Sequence, residues 1–124
     1  MKIALTSQGE TLDAPCDPRF GRCRYFIIVD EESGEVRAYD NPSLSSGGGA
    51  GIQAAQFLVN QGVEVLLTGN IGPNASRVLQ AVRIKVYFHH GGTGRAVLED
   101  FRNGRLPQGE GANVPPHFGV SGNP

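Results

Sequence analysis

The sequence lacks the features that mark disulfide-rich, membrane-spanning and nucleic-acid-binding proteins. It has no tryptophan, one methionine and two cysteines among 124 residues, and no apolar run approaches the ~20 residues that a membrane-spanning helix needs. Eleven Lys and Arg against twelve Asp and Glu leave a net charge of -1, without the basic excess of nucleic-acid-binding proteins. We therefore predict a cytoplasmic protein that binds neither membrane nor nucleic acid and has no disulfide framework.

Glycine and proline are abundant instead. The chain has 18 Gly and 8 Pro, and its apolar share of 39% is at the lower edge for a globular protein. A chain of this length fits one domain with a single core. Much of it must therefore lie in shaped loops, where we expect function to reside.

Hydrophobic periodicity predicts five strands and three helices. The strands are expected over residues 2–6, 24–30, 35–40, 63–68 and 84–88, and the helices after the glycine run, from Pro73 and after Thr93. Gly62 should end the first helix and Thr93 should cap the third. The prediction is an α/β domain over residues 1–106, with three layers and a five-stranded mixed sheet, followed by a flexible Gly/Pro-rich tail over residues 107–124.

Four loops should meet at one edge of this sheet. If the second strand is antiparallel to the first, the loops at residues 7–23, 43–51, 69–74 and 89–93 all leave the same edge. Ligands bind at the carboxyl ends of strands in such sheets. The sequence therefore predicts a binding site built from these loops.

An anion is the expected ligand of this site. Three helix N-termini should point to it with unpaired N–H donors, and Arg19, Arg22 and Arg24 add positive charge. The run at residues 47–51 lacks the Gly-Lys-Ser/Thr ending of a P-loop and is a poor dinucleotide fingerprint. Nucleotide binding is therefore not supported by a motif.

Two cysteines lie in the first loop. Cys16 and Cys23 have six residues between them, and three nearby arginines predict a lowered thiol pKa, which favours metal ligation. Two thiolates are half of the usual four-cysteine ligand set, so His89, His90, sulfide or a second subunit would have to complete it. His89 and His90 should point to opposite faces of their strand. A reversible disulfide and two cysteines without a function are the alternatives.

Three segments follow one another along the chain: DPRFGRCRYFIIVD from Asp17, GGGAGIQAA from Gly47 and GNIGPNA from Gly69. In this order they resemble the dinitrogenase iron-molybdenum cofactor biosynthesis family, and the resemblance covers about residues 1–106. It implies a ribonuclease H-like fold and the binding of anionic metal-sulfur cofactors or their precursors. Ser46 departs from the family pattern, which often has a histidine just before the glycine run.

The resemblance also implies the residues of the site. The expected cofactor-binding residues are Arg19, Phe20, Gly21, Arg22, Gly47, Gly48, Gly49, Ala50, Gly51, Asn70, Gly72 and Asn74. The predicted metal ligands are Cys16, Cys23 and His89.

The leading interpretation is a non-enzymatic carrier for an anionic metal-sulfur cluster, either iron-sulfur or molybdenum-containing. Its partner would be a cluster-assembly or acceptor protein, and the carrier itself a monomer or weak dimer. The alternative is a phosphate- or nucleotide-binding regulatory module without metal. A nuclease is disfavoured because the first strand, residues 2–6, has no carboxylate for a two-metal site, whereas a thiol redox role for the cysteines stays open.

Overall fold

The protein alternates strands and helices along most of its length. The computed structural model describes residues 1–45, 49–109 and 111–113, except for the side chain of Ser45. The elements are β1 (Lys2–Ser7), β2 (Tyr25–Asp30), β3 (Val36–Asp40), a 3-10 turn (Pro42–Ser45), α1 (Ala50–Asn60), β4 (Val65–Thr68), α2 (Pro73–Ala81), β5 (Lys85–Phe88), α3 (Gly94–Arg102) and β6 (Gln108–Gly109). Within the described part, no helix is long and apolar enough to cross a membrane.

The sheet is mixed and has six strands rather than the predicted five. Its order is β3-β2-β1-β4-β5-β6, in which β1, β4 and β5 are parallel and β2, β3 and β6 are antiparallel to their neighbours. Gln108–Gly109, which the sequence placed in the tail, pairs with Val86 and Tyr87. Two residues cannot show an alternating pattern, so periodicity had no signal for β6. The rest of the predicted tail, residues 110 and 114–124, lies outside the described residues.

Helices cover both faces of the sheet. Phe26 of β2 packs with Leu58 of α1 in one buried cluster, which also includes α2 residues. The next residue, Ile27, packs with Val97 of α3 in a second cluster on the other face. Successive side chains of a strand point to opposite faces, so alternation along β2 separates the two clusters and produces three layers.

The predicted helix boundaries are confirmed where capping chemistry marks them. Pro73 occupies the first turn of α2, where its missing N–H costs nothing. Gly62 follows α1 with a φ of 76°, the left-handed conformation that glycine adopts most readily. The Thr93 hydroxyl accepts a hydrogen bond from Ala96 N at 3.1 Å and caps α3.

Candidate anion-binding site

The loop between β1 and β2 folds back across the carboxyl edge of the sheet. Gln8 N donates to Pro15 O at 2.9 Å and Asp17 N donates to Thr6 O at 2.9 Å. The Thr6 hydroxyl in turn contacts Asp17 O at 2.5 Å and the Thr68 hydroxyl at 3.1 Å. These bonds place the arginine segment, residues 17–24, at the ends of β1 and β4.

The arginine segment is joined directly to the loop at residues 69–72. Phe20 N donates to Asn70 O at 3.2 Å, and Asn70 N donates to Pro18 O at 2.5 Å. A Cβ on Gly69 would lie 2.8 Å from Pro18, so only glycine allows this approach. The prediction that these two loops meet is confirmed by these contacts.

The start of α1 packs closely against the arginine segment and against α2. A Cβ on Gly21 would lie 3.3 Å from Gly51 N, and a Cβ on Gly51 would lie 3.1 Å from the Cβ of Ala75 in α2. Gly49, the residue before α1, has a left-handed φ of 72°. Gly47, Gly48 and Ser46 lie outside the described residues. For the described part of the glycine run, the predicted convergence is therefore confirmed.

Asn41 and Ser43 hold the arginine segment in place. The Asn41 amide donates to Cys23 O at 2.9 Å, and the Ser43 hydroxyl donates to Gly21 O at 3.0 Å. Both side chains are buried. Neither residue was predicted from the sequence to support the site. The available signal was the Asn-Pro-Ser order, since Asn41 Oδ1 accepts from Ser43 N at 2.9 Å in a local turn.

A positively charged cavity of about 480 Å³ lies beside these loops. It is lined by Gln8, Asp17, Arg19, Arg22, Arg24 and Leu44. Its one carboxylate is already paired, because Arg19 Nε and Nη2 lie 3.1 and 3.2 Å from the Asp17 oxygens. The hydrogen bond and charge of Asp17 raise the pKa of Arg19.

The other two arginines leave most of their donors free. Arg24 Nε donates to the Tyr25 hydroxyl at 3.2 Å. Within the described part of the chain, the exposed guanidinium of Arg22 makes no hydrogen bond or ion pair. A multiply charged anion could therefore accept several hydrogen bonds from this cavity.

Among the described residues, the first N–H groups of two helices have no intramolecular acceptor, rather than those of the three predicted. Gly49 and Gly72 precede α1 and α2 and provide no side-chain cap. At α3, by contrast, Gly94 N donates to Ala14 O and Arg95 N to Leu12 O, at 3.1 and 2.8 Å. The α3 donors are thus used within the fold, and the prediction is wrong for this helix.

Both cysteines are free thiols buried on opposite sides of the sheet. Cys16 belongs to the cluster that includes α3, and Cys23 to the cluster that includes α1 and α2. Burial, with a smaller contribution from the Asp17 charge, raises the pKa of Cys16 to about 11 and that of Cys23 to about 12. The expectation of lowered thiol pKa values is therefore wrong. The arginine heads extend into solvent, whereas the sulfur atoms lie in the core.

The two histidines after β5 differ in burial. His89 is 4% exposed and His90 is exposed. His89 Nδ1 accepts from Gly91 N at 3.0 Å, while its Nε2 is buried without a hydrogen-bond partner among the described residues. Burial, and then the charge of His90, lower the pKa of His89. No three His, Cys, Asp or Glu side chains of the described residues are grouped to hold a metal ion.

Comparison with known proteins identifies the family. The protein-family model described as dinitrogenase iron-molybdenum cofactor matches residues 1–104 of this chain. The chain belongs to this family.

The chain is also similar to solved structures and to a further protein known by its sequence. The apo form of the orange protein from Desulfovibrio gigas is 43% identical with a TM-score of 0.87, covering 91% of this chain and 96% of that one. A putative NifB protein from Thermotoga is 37% identical with a TM-score of 0.81, covering 91% and 97%. An uncharacterised protein of Methanocaldococcus jannaschii is 37% identical over 90 residues, which cover 70% of this chain and 73% of that protein.

Proposed function

We propose that this protein is a non-enzymatic carrier of an anionic metal-sulfur cluster, either iron-sulfur or molybdenum-containing. The observation that carries the proposal is the cavity lined by Arg19, Arg22 and Arg24, in which the Asp17 carboxylate is already paired. Membership of a family described by the iron-molybdenum cofactor supports a metal-sulfur cargo. The predicted lining by Phe20, Gly21, Asn70, Gly72, Asn74 and residues 47–51 is part of the proposal.

The cargo would be held by charge and hydrogen bonds. Guanidinium groups, and the N–H groups at the starts of α1 and α2 that have no acceptor among the described residues, suit the sulfide- or oxygen-rich surface of a cluster. Cys16 and Cys23 suit direct ligation poorly, since both are buried and their pKa values are raised. His89 has a buried, unpartnered Nε2 among the described residues and is the better candidate for a metal contact.

The proposal also covers the location, oligomeric state, partner and fold family of the protein. We infer a cytoplasmic carrier, monomeric or weakly dimeric, that exchanges its cargo with a cluster-assembly or acceptor protein. We also infer a ribonuclease H-like fold, supported by the order β3-β2-β1-β4-β5 with β2 antiparallel to β1.

The alternative is a metal-free module for a phosphate or nucleotide. Two helices that begin without a side-chain cap next to an arginine-lined cavity favour it, because such N-termini are general phosphate-binding features. The two functions differ in the identity of the anion and can be separated by direct binding.

The test is anaerobic reconstitution with iron, sulfide and molybdate, followed by desalting and a visible spectrum. Arg22→Ala is the informative variant, because Arg22 lines the cavity and supports no other described residue. Arg105→Ala is the matched control, since this exposed arginine pairs with Asp100 outside the cavity lining. We expect a coloured complex of defined stoichiometry with wild type and Arg105→Ala, and loss of colour with Arg22→Ala.

A colourless wild-type protein that is thermally stabilised by inorganic phosphate or a nucleotide would contradict the carrier and support the alternative. Equal colour in all three proteins would show that the metal binds outside the cavity.

A further inference from the structure

One residue beyond the family match makes three hydrogen bonds to a loop of the site. Asn113 Oδ1 accepts from Ile71 N at 2.6 Å, and Asn113 Nδ2 donates to Gly69 O at 2.8 Å. Its backbone N donates to Ile71 O at 3.1 Å. These bonds span Asn70, so a single residue fixes the backbone on both sides of it.

The segment that carries Asn113 is anchored to the sheet. We call residues 107–109 and 111–113 the C-terminal strap. Its β6 pairs with Val86 and Tyr87 of β5, and Pro107 O accepts from Phe88 N at 3.0 Å. The strap thus connects the edge of the sheet to the loop that precedes α2.

The clamped loop is also the loop that holds the arginine segment. Asn70 O accepts from Phe20 N, and Asn70 N donates to Pro18 O, on either side of Arg19. Among the described residues, the Asn70 side-chain amide has no hydrogen-bond partner and remains available to a ligand. A shift of residues 69–71 would therefore move Asn70 and Arg19 together.

We propose that the C-terminal strap positions the anion site, with Asn113 as the positioning residue. Asn113 lies outside the cavity lining and acts through the backbone of residues 69–71. The part of this inference that concerns ligand affinity rests on the proposed function, whereas the part that concerns loop order does not.

The first test is amide hydrogen exchange by NMR, without ligand. The variant is Asn113→Ala, and the control is Asn103→Ala, an exposed asparagine at the end of α3. In Asn113→Ala we expect exchange at Ile71 and Phe20 to be roughly tenfold faster, because a lost hydrogen bond to the loop eases its opening. Exchange at Ile27 in the central strand β2 should not change.

Asn113→Asp separates the two side-chain bonds. It keeps the acceptor for Ile71 N and loses the donor to Gly69 O, so we expect slow exchange at Ile71 to be largely restored. Unchanged exchange at Phe20 in Asn113→Ala would overturn the inference. Faster exchange at Ile27 as well would show that Asn113 stabilises the whole fold, and this result would also overturn the inference.

The second test is the affinity for tetrathiomolybdate, a small sulfur-rich anion. We expect Asn113→Ala to bind it several-fold to tenfold more weakly than wild type and Asn103→Ala. Faster exchange at Phe20 with unchanged affinity would overturn the positioning role. If wild type does not bind this probe, the proposed cargo class is contradicted. The exchange rate at Phe20 alone then decides whether the strap orders the loop and the arginine segment.

Discussion

Asp17 is the charged residue on which the electrostatics of the site depend. Its carboxylate is buried and accepts from Arg19 N, Nε and Nη2. The same charge raises the pKa of Cys16 and Cys23 and opposes the fall in the pKa of His89. This buried carboxylate therefore pairs with one arginine at the cavity, and it adds to burial, the larger cause of the raised thiol pKa values.

The thiols should be unreactive in the folded protein. With pKa values of about 11 and 12, about one thiol in a thousand or fewer is ionised at pH 8, and the thiolate is the nucleophile. We expect an aromatic disulfide reagent to label neither thiol within minutes in native buffer and both promptly in guanidinium chloride. Prompt labelling of the native protein would contradict the burial of the thiols and return them to the candidate metal ligands.

His89 should make the stability of the fold depend on pH. Its folded-state pKa lies below the ordinary value of 6.5, so the unfolded chain binds more protons below about pH 6.5. Stability should be fully present above that pH and decline as the pH falls toward the folded-state pKa. Urea unfolding at pH 7.5 and 5.5 should show a smaller decline for His89→Asn than for wild type.

His90→Asn is the matched control for this measurement, because His90 is exposed. It should retain most of the decline seen with wild type, because burial is the larger cause of the lowered pKa of His89 and the charge of His90 the smaller one. The same decline in His89→Asn would assign the pH dependence to other groups.

At the level of elements, the three helices begin in two different ways. α1 and α2 begin after glycines that provide no cap, beside the cavity. α3 begins after Thr93, and its first N–H groups donate to residues 12 and 14 and to the Thr93 hydroxyl. The first N–H groups of α3 are thus used within the fold, whereas Gly49 and Gly72 provide no side-chain acceptor for those of α1 and α2.

Thr93→Ala should therefore destabilise the protein without affecting anion binding. Loss of this cap costs about 1 kcal/mol in comparable helices, and Thr93 is not part of the cavity lining. Urea unfolding gives the stability, and a tetrathiomolybdate titration gives the affinity. Thr11→Ala is the control, because this exposed side chain caps no helix. Weaker anion binding by Thr93→Ala would place the start of α3 in the site.

At the level of the whole molecule, the two edges of the sheet differ. β3 forms one edge and is largely exposed, with charged Arg37 and Glu35 paired beside it. β6 forms the other edge and is part of the C-terminal strap. The end of the described chain is thereby connected to the anion site across β5 and the loop before α2.

Gly109→Val should disturb this edge. A Cβ on Gly109 would lie 2.2 Å from the ring of Phe88, whereas one on Gly111 would meet nothing closer than 3.9 Å. Overpacking of this kind costs about 1–3 kcal/mol, so urea unfolding should show a loss for Gly109→Val and almost none for Gly111→Ala. Equal stability of the two variants would show that Phe88 moves aside freely.

Local patterns were sufficient to predict the elements that carry strong signals. Strands β1 to β5, Pro73 at the start of α2, Gly62 after α1 and the Thr93 cap all follow from periodicity and backbone preferences. The convergence of the arginine segment with residues 49–51 and 69–72 also followed, because strand directions decide which loops share an edge.

Contacts between distant segments could not be predicted from local sequence patterns. β6 is two residues long, and Asn113 lies in a Gly/Pro-rich stretch without periodicity, so neither had a local signal. The thiol pKa values also depend on depth below the surface. Arg19 and Cys23 lie four residues apart, yet the guanidinium is exposed and the sulfur is buried.

The sequence by itself determined the family, the order of the elements and the edge at which the loops meet, because these depend on residue types and spacing along the chain. The tertiary structure decided which helix starts remain free, that both thiols stay protonated and that Asn113 clamps residues 69–71. Those outcomes depend on burial and on hydrogen bonds between distant segments, such as Arg95 N to Leu12 O at the start of α3 and Asn113 to Gly69 O, which only the folded chain brings together.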